Sequence, residues 1–385
     1  MDTFTFNTVG RIVTGAGEAL LLAGHCRDLG VDSVLLVTDP GLVEIGLIAP
    51  VERALQDAGL AVTRFAEVRE DPPEAVVEAA AALGRQAQVE GVIAVGGGSS
   101  MDVAKVVAAL LAGDQPLSAM YGVEQLRGGR LPLILVPTTA GTGSEVTPVA
   151  VITTGETTKA GVSAATLLPD VAVLDADLTL GLPPSITAMT GVDAMVHAIE
   201  AYTSRIKKNP ISDNLARSAL GLLAGSIRTA VHDGRQREPR AAMLLGAMQA
   251  GQAFANAPVA AVHALAYPLG GHYHIPHGLS NSLVLPSVLR FNLPTAAALY
   301  AELASVLVPV ASGSDEARAI AMIEYLESLI EDLSLPATLA DAGVREDSLA
   351  TLAQDAMLQQ RLLVNNPRDV AYDDALAIYQ SAFGG

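Results

Sequence analysis

The chain has 385 residues, half of them hydrophobic and 17% charged, so it can bury a large apolar surface and has none of the composition of a disordered chain. That length exceeds one comfortable core, and two domains are expected. Acidic residues outnumber basic ones 41 to 23, and a net charge of −18 argues against nucleic acid as a partner. Cys26 is the only cysteine, which excludes an intramolecular disulfide and a thiolate metal cluster.

The opening MDTFTFNTVGRIVTG is polar and strand-like, with no basic segment leading into an apolar one. It does not read as a signal peptide. The apolar stretches look interrupted by Gly, Pro or charges before the ~20 residues that span a bilayer. The expectation is a soluble cytoplasmic protein without a membrane partner. The extended Thr3 to Val13 could pair with an edge strand of a second copy, which predicts a homodimer or a higher homo-oligomer.

From residue 31 short β-rich runs alternate with amphipathic helical runs. Strands are predicted at Ser33 to Thr38, Val62 to Val68, Val92 to Val95, Pro132 to Val136 and Val171 to Leu174. Helices are predicted at Leu42 to Asp57 and Pro73 to Val89. This alternation predicts an α/β domain over residues 1–183, a Rossmann-like parallel sheet that binds a dinucleotide. After Pro184 the chain turns Ala- and Leu-rich, with helical period over Asn214 to Val231, Arg240 to Asn256 and Asp315 to Leu333. Residues 184–385 therefore read as an all-helical domain.

Two loops of the first half suit phosphate or ribose. GVIAVGGGSSMDVAK runs from a buried strand through three glycines and two serines into a helix, so its backbone can approach an anion closely and aim helix amides at it. A serine-capped strand-to-helix turn would look the same. The second loop, PTTAGTGSEVTP, gathers the hydroxyls of Thr138, Thr139, Thr142 and Ser144 around two glycines, although such a loop can also serve only its own backbone. Asp39 closes VLLVTDPG, where a carboxylate can hold the adenosine ribose hydroxyls and repel a 2′-phosphate. NAD is preferred to NADP on that ground, with a turn role before Pro40-Gly41 as the competing reading.

The second half holds the metal-type residues. In GVDAMVHAIEAY, Asp193 and His197 are four apart and share one helix face, although such pairs are more often surface hydrogen bonds than ligands. His263, His272, His274 and His277 fall within fifteen residues, and buried histidines satisfied by carbonyls explain four so close together poorly. Together, GGGSSMDVAK, PTTAGTGSEVTP, GVDAMVHAIEAY, HALAYPLGGHYHIPHG and the late Asn366-Pro367-Arg368 resemble the iron-containing (group III) alcohol dehydrogenase family, in order and over essentially the whole chain.

The resemblance implies that Asp193, His197, His263 and His277 hold a divalent metal, with Fe2+ favoured and Zn2+ possible. It implies that Gly97, Gly98, Ser99 and Asp102 line the pyrophosphate, that Thr138, Thr139 and Thr142 line the nucleotide, and that Asp39 meets the adenosine ribose. Lys159 and Asp71 would lie near the cofactor, and Phe254 would wall the substrate pocket. Two departures stand out. Tyr267 occupies a position where many members carry histidine, and LLVN replaces a common Cys-Thr, giving an aliphatic rim at Leu362 and Leu363. His272 and Tyr267 are the candidate proton carriers. The implied activity is reversible hydride transfer between NAD(H) and a small primary alcohol or diol and its aldehyde. A maleylacetate-reductase-like or glycerol-dehydrogenase-like enzyme, and a non-catalytic nucleotide-binding protein, are the alternatives.

Overall fold

A computed structural model describes residues 3–155 and 158–384. The chain divides into two compact units, Asn7–Gly181 and Leu182–Gly385 with Met1–Phe6. The first unit contains β1 (Arg11–Thr14), α1 (Leu22–Asp28), β2 (Ser33–Val37), α2 (Pro40–Glu44), α3 (Ile48–Asp57), β3 (Ala61–Phe65) and α4 (Glu74–Gln86). It continues through β4 (Gly91–Gly96), α5 (Gly98–Ala112), β5 (Gly122–Val123), β6 (Leu133–Pro137), β7 (Val149–Thr154), β8 (Thr158–Ser163) and β9 (Val171–Leu174).

Six strands form one parallel sheet in the order β1-β9-β6-β4-β2-β3. Its central strands are nearly pure aliphatic runs because helices cover both faces. Alternate residues divide between two cores, as a period of two requires. Leu35, Val37, Val92, Ala94, Leu133 and Leu135 pack with residues of α4 and α5. Val34, Leu36, Ile93, Val95, Ile134 and Val136 pack with α1 and α3. The fold class is the α/β arrangement the alternation predicts.

From β2 the chain moves outward to β3, then returns to the other side of β2 as β4. The strand order therefore reverses between β2 and β4, and a crevice opens at their carboxyl ends, where open α/β sheets bind ligands. Asp39 follows β2 and Gly97 follows β4, so both stand at this crevice.

Several elements differ from the sequence reading. The single helix expected over Leu42 to Asp57 is two, α2 and α3, because Gly46 takes a left-handed φ of 78°. Ala61–Phe65 is shorter than the strand expected to Val68. Within the opening segment read as strand-like, Arg11–Thr14 forms β1 and pairs with β9 of the same chain at the sheet edge, while the antiparallel β7–β8 pair, which with β5 forms a second sheet, was not foreseen.

The second unit is helical throughout: α6 (Pro184–Thr203), α7 (Pro210–His232), α8 (Arg237–Asn256), α9 (Ala261–Tyr273), α10 (His277–Leu307), α11 (Asp315–Asp332), α12 (Leu349–Ala356), α13 (Gln360–Leu363) and α14 (Tyr372–Gly384). Helix α6 lies among α7, α8 and α10. Helix α10 is long and apolar enough to cross a membrane by length and composition, contrary to the expectation that every apolar stretch is interrupted too soon. Its contacts with α6, α7, α9, α11 and α14 account for that composition. Pro286 and Pro294 fall inside it.

Candidate functional site

In the helical unit, α6 presents Asp193 and His197 one turn apart, both almost fully buried. His263 is the third residue of α9 and His277 the first of α10. Between these two helices, His274 takes a left-handed φ of 54° that ends α9, and Pro276 precedes α10. Gly278 sets the approach of α10 to α6. A Cβ there would stand 2.4 Å from the Met189 carbonyl oxygen, so only glycine lets the two backbones come this close. That contact carries His277 to Asp193.

The structure brings all four together, each offering a ligand atom, with every pair of those atoms within 4.8 Å. Asp193 Oδ1 stands 4.0, 3.8 and 3.7 Å from Nε2 of His197, His263 and His277. Tetrahedral ligands about 2.1 Å from a Zn2+ or Fe2+ ion lie roughly 3.4 Å apart, so the three distances from Asp193 are each within a few tenths of an ångström of that spacing. The donors also fit chemically. Burial works against the charged form of Asp193, but the imidazoles of His197, His277 and His263 and the Asn281 amide outweigh it and hold the carboxyl below its usual range. Burial likewise disfavours a charged His263, while Glu200 and Asp193 lift its pKa above the ordinary value. A field that favours a proton also favours a metal cation. His263 Nε2 is buried with no hydrogen-bond partner among the described residues, as a ligand atom would be.

Two supporting residues escaped the sequence reading. Glu200 accepts the Nδ1 contact of His263 at 2.6 Å, and Asn281 donates to Asp193 Oδ1 at 2.6 Å. Glu200 falls seven residues after Asp193 on the same face of α6, and that acidic residue in an apolar run is the signal that could have found it.

Phe254, expected to wall the pocket, stacks on His197 at 4.3 Å between centroids. Tyr267 lies beside His277 at 6.0 Å between ring centroids. His272 is not brought to this cluster. It follows His263 by nine residues, about 13 Å along α9, and its Nε2 pairs with Asp355 at 2.6 Å on the surface. Leu362 is buried in α13, and Leu363 is buried beside it.

In the sheet unit, the two loops touch. A Cβ on Gly98 would lie 2.8 Å from Thr142 Cγ2, one on Gly97 would lie 3.8 Å from Thr139 Oγ1, and one on Gly96 would strike Ser100 at 2.5 Å. The glycines thus let the turn into α5 nest against the hydroxyl loop. Thr138 is buried and donates its backbone N–H to Gly96 O, while Ser99, Thr139 and Thr142 are half-buried. Helix α5 begins at Gly98 with no side-chain cap, leaving first-turn amides available to an anion. Asp39 caps α2 through Oδ1, which accepts from Leu42 N at 3.0 Å, and its Oδ2 faces Gly96.

Asp102, implied by the resemblance to line the pyrophosphate, has its carboxylate engaged within the protein. Its oxygens accept from Ser144 Oγ at 2.6 Å and Val151 N at 2.9 Å, with Lys105 Nζ at 3.7 Å. Fully buried Lys105, also missed from sequence, donates to Ser144 Oγ, Thr147 Oγ1 and the Val149 carbonyl. One face of α5 thereby clasps the hydroxyl loop. Burial pushes the Lys105 amine down to about 8 and the buried Glu145 carboxyl up to about 7, each partly offset by the other's charge. Lys159 and Asp71 pair with each other at 2.6 Å, tying β8 to the loop before α4.

Comparison with known proteins gives the same family. Residues 10–176 match "Iron-containing alcohol dehydrogenase", and residues 187–383 match "Fe-containing alcohol dehydrogenase family, C-terminal". The chain is 41% identical to long-chain-alcohol dehydrogenase 1 of Geobacillus thermodenitrificans, with 98% of each chain aligned. It superposes on the crystal structure of 1,3-propanediol oxidoreductase with a TM-score of 0.96 at 34% identity, covering 99% of this chain and 100% of that one. It superposes on sulfoacetaldehyde reductase from Bifidobacterium kashiwanohense, crystallised with NAD+, with a TM-score of 0.90 at 30% identity and complete coverage of both chains. The chain belongs to the iron-containing alcohol dehydrogenase family of oxidoreductases.

Proposed function

We propose that this protein transfers hydride reversibly between NAD(H) and a small primary alcohol or diol and its aldehyde. It uses a divalent metal, Fe2+ favoured and Zn2+ compatible, held by Asp193, His197, His263 and His277. The observation that carries the proposal is the convergence of these four side chains from three helices, with His263 Nε2 buried 3.8 Å from Asp193 Oδ1. When bound, such a cation supplies Lewis acidity, lowering the pKa of an alcohol hydroxyl in one direction and polarising an aldehyde carbonyl in the other.

The residues of the chain do the rest. Asn281 fixes the Asp193 carboxylate, and the aromatic face of Phe254 fixes His197. Tyr267, next to His277, is the better placed of the two candidate proton carriers, since His272 is committed to Asp355. At the crevice between β2 and β4, the amides of Gly97, Gly98 and Ser99 would hold the cofactor pyrophosphate. Thr138, Thr139 and Thr142 would line the nucleotide, and Asp39 would accept from the adenosine ribose hydroxyls while repelling a 2′-phosphate. Asp102 would act there through Ser144 and Val151, holding the loop in place. The NAD+ complex of the related sulfoacetaldehyde reductase supports the choice of cofactor.

The experiment is a panel of short primary alcohols and diols presented to metal-loaded protein with NAD or NADP. At least one substrate is expected to yield NADH, with kcat/KM for NADP lower by tenfold or more. Absence of turnover across the panel and its aldehydes, at verified metal occupancy, contradicts the catalytic reading. A preference for NADP contradicts the role of Asp39.

A further inference from the structure

Glu200 is buried in the middle of α6, and its carboxylate is used three times. Oε2 accepts from the backbone N–H of Ala260 at 2.9 Å and from His263 Nδ1 at 2.6 Å, while Oε1 accepts from the N–H of Val262 at 2.7 Å. Ala260 is the residue that caps α9 and has no side chain able to do so. A carboxylate on another helix therefore satisfies two of the amides that a helix start leaves without partners, where its charge also meets the positive end of the helix dipole.

The same carboxylate decides which nitrogen of His263 carries the proton. With Nδ1–H donated to Glu200, the lone pair sits on Nε2, which faces Asp193 Oδ1 at 3.8 Å. Charge balance points the same way. Asp193 and Glu200 place two buried acidic groups beside three imidazoles, of which only that of His277 is partly exposed, and a divalent cation neutralises two negative charges.

We infer that Glu200 is a positioning residue for the metal centre: one carboxylate both caps α9 and holds His263 as the Nδ1–H tautomer that presents Nε2 to the cation. The inference rests on the metal reading proposed above. It adds a residue that acts through His263 and does not itself touch the ion. Partners of this kind are worth 10 to 100-fold in metal affinity.

The test compares the full-length protein with Glu200→Gln and Glu200→Ala. It uses Zn2+ affinity by competition with a chromophoric chelator, the ligand-field spectrum at saturating Co2+, and the melting temperature of the metal-free protein. Glu200→Gln keeps an acceptor for one of the two α9 amides and turns an NH2 toward the other, so it should melt below wild type but above Glu200→Ala. It should bind Zn2+ about 10 to 100-fold more weakly and shift the Co2+ bands, which a cap alone would not do. Glu200→Ala should lose thermal stability as well as affinity. Zn2+ affinity within twofold of wild type together with an unchanged Co2+ spectrum in Glu200→Gln overturns the inference and leaves Glu200 a helix cap. Spectra of Zn2+-loaded wild type labelled with 15N-histidine need no variant. They should show His263 protonated at Nδ1, and a proton on Nε2 overturns the assignment. Failure of wild type to take up either ion instead overturns the metal reading itself.

Discussion

Replacing His277 by alanine is expected to abolish metal retention and alcohol-dependent NADH formation together while leaving the fold in place. The side chain of His277 is 38% exposed, so little packing is lost with the ring, whereas its Nε2 stands 3.7 Å from Asp193 Oδ1 in the ligand cluster. Three donors would remain for an ion that needs four. Lewis acidity contributes several kcal/mol to such a reaction, and about 4 kcal/mol corresponds to a rate loss on the order of 10³. The check is elemental analysis after dialysis, steady-state rates and a thermal melt on one preparation. Full metal occupancy with a wild-type rate removes His277 from the ligand set. His263→Ala should strip metal in the same way but also destabilise the protein, because that ring is buried and bonded to Glu200.

Gly278→Ala should damage the centre without replacing a ligand. The added methyl would lie 2.4 Å from the Met189 carbonyl oxygen and 2.8 Å from its carbon, and backbone atoms in the middle of α6 cannot swing aside as a side chain would. Helix α10 must therefore move away from α6, and His277 moves with it. Overpacking of this kind costs about 1–3 kcal/mol, set against a gain of roughly 1 kcal/mol in helix propensity. The expected result is a melting temperature lower by a few degrees and Zn2+ affinity lower by more than tenfold, measured by chelator competition. Wild-type affinity would show that the close approach of the two helices does not set the geometry of the site.

Much of the sheet unit was legible because buried parallel strands announce themselves as aliphatic runs, as in SVLLV, GVIAVG and LILVP. Asp193 and His197 were legible as a pair because helical spacing puts residues four apart on one face. The break between α2 and α3 was not, because a single glycine is tolerated within many helices and only its left-handed φ reveals the turn. Contacts distant in sequence were also invisible. Glu200 meets His263 across 63 residues and Lys105 meets Ser144 across 39, and neither pair leaves a local spacing to detect. Asp102 shows the related difficulty of direction. The resemblance implies a place beside the pyrophosphate, and the sequence carries no sign that its oxygens are engaged by Ser144 and Val151. His272 belongs to the same histidine-rich stretch as His277, but nine residues of helix carry it away from His263 to a contact with Asp355.

The proposed activity depends on a divalent ion at the junction of α6, α9 and α10. Its most direct test strips the protein with a chelator, restores Fe2+ or Zn2+ in measured steps, and follows alcohol-dependent NADH formation at each step. Activity should be absent from the stripped protein and should rise in proportion to bound metal, with saturation at one ion per chain. A stripped protein that reduces NAD at the full rate would contradict it.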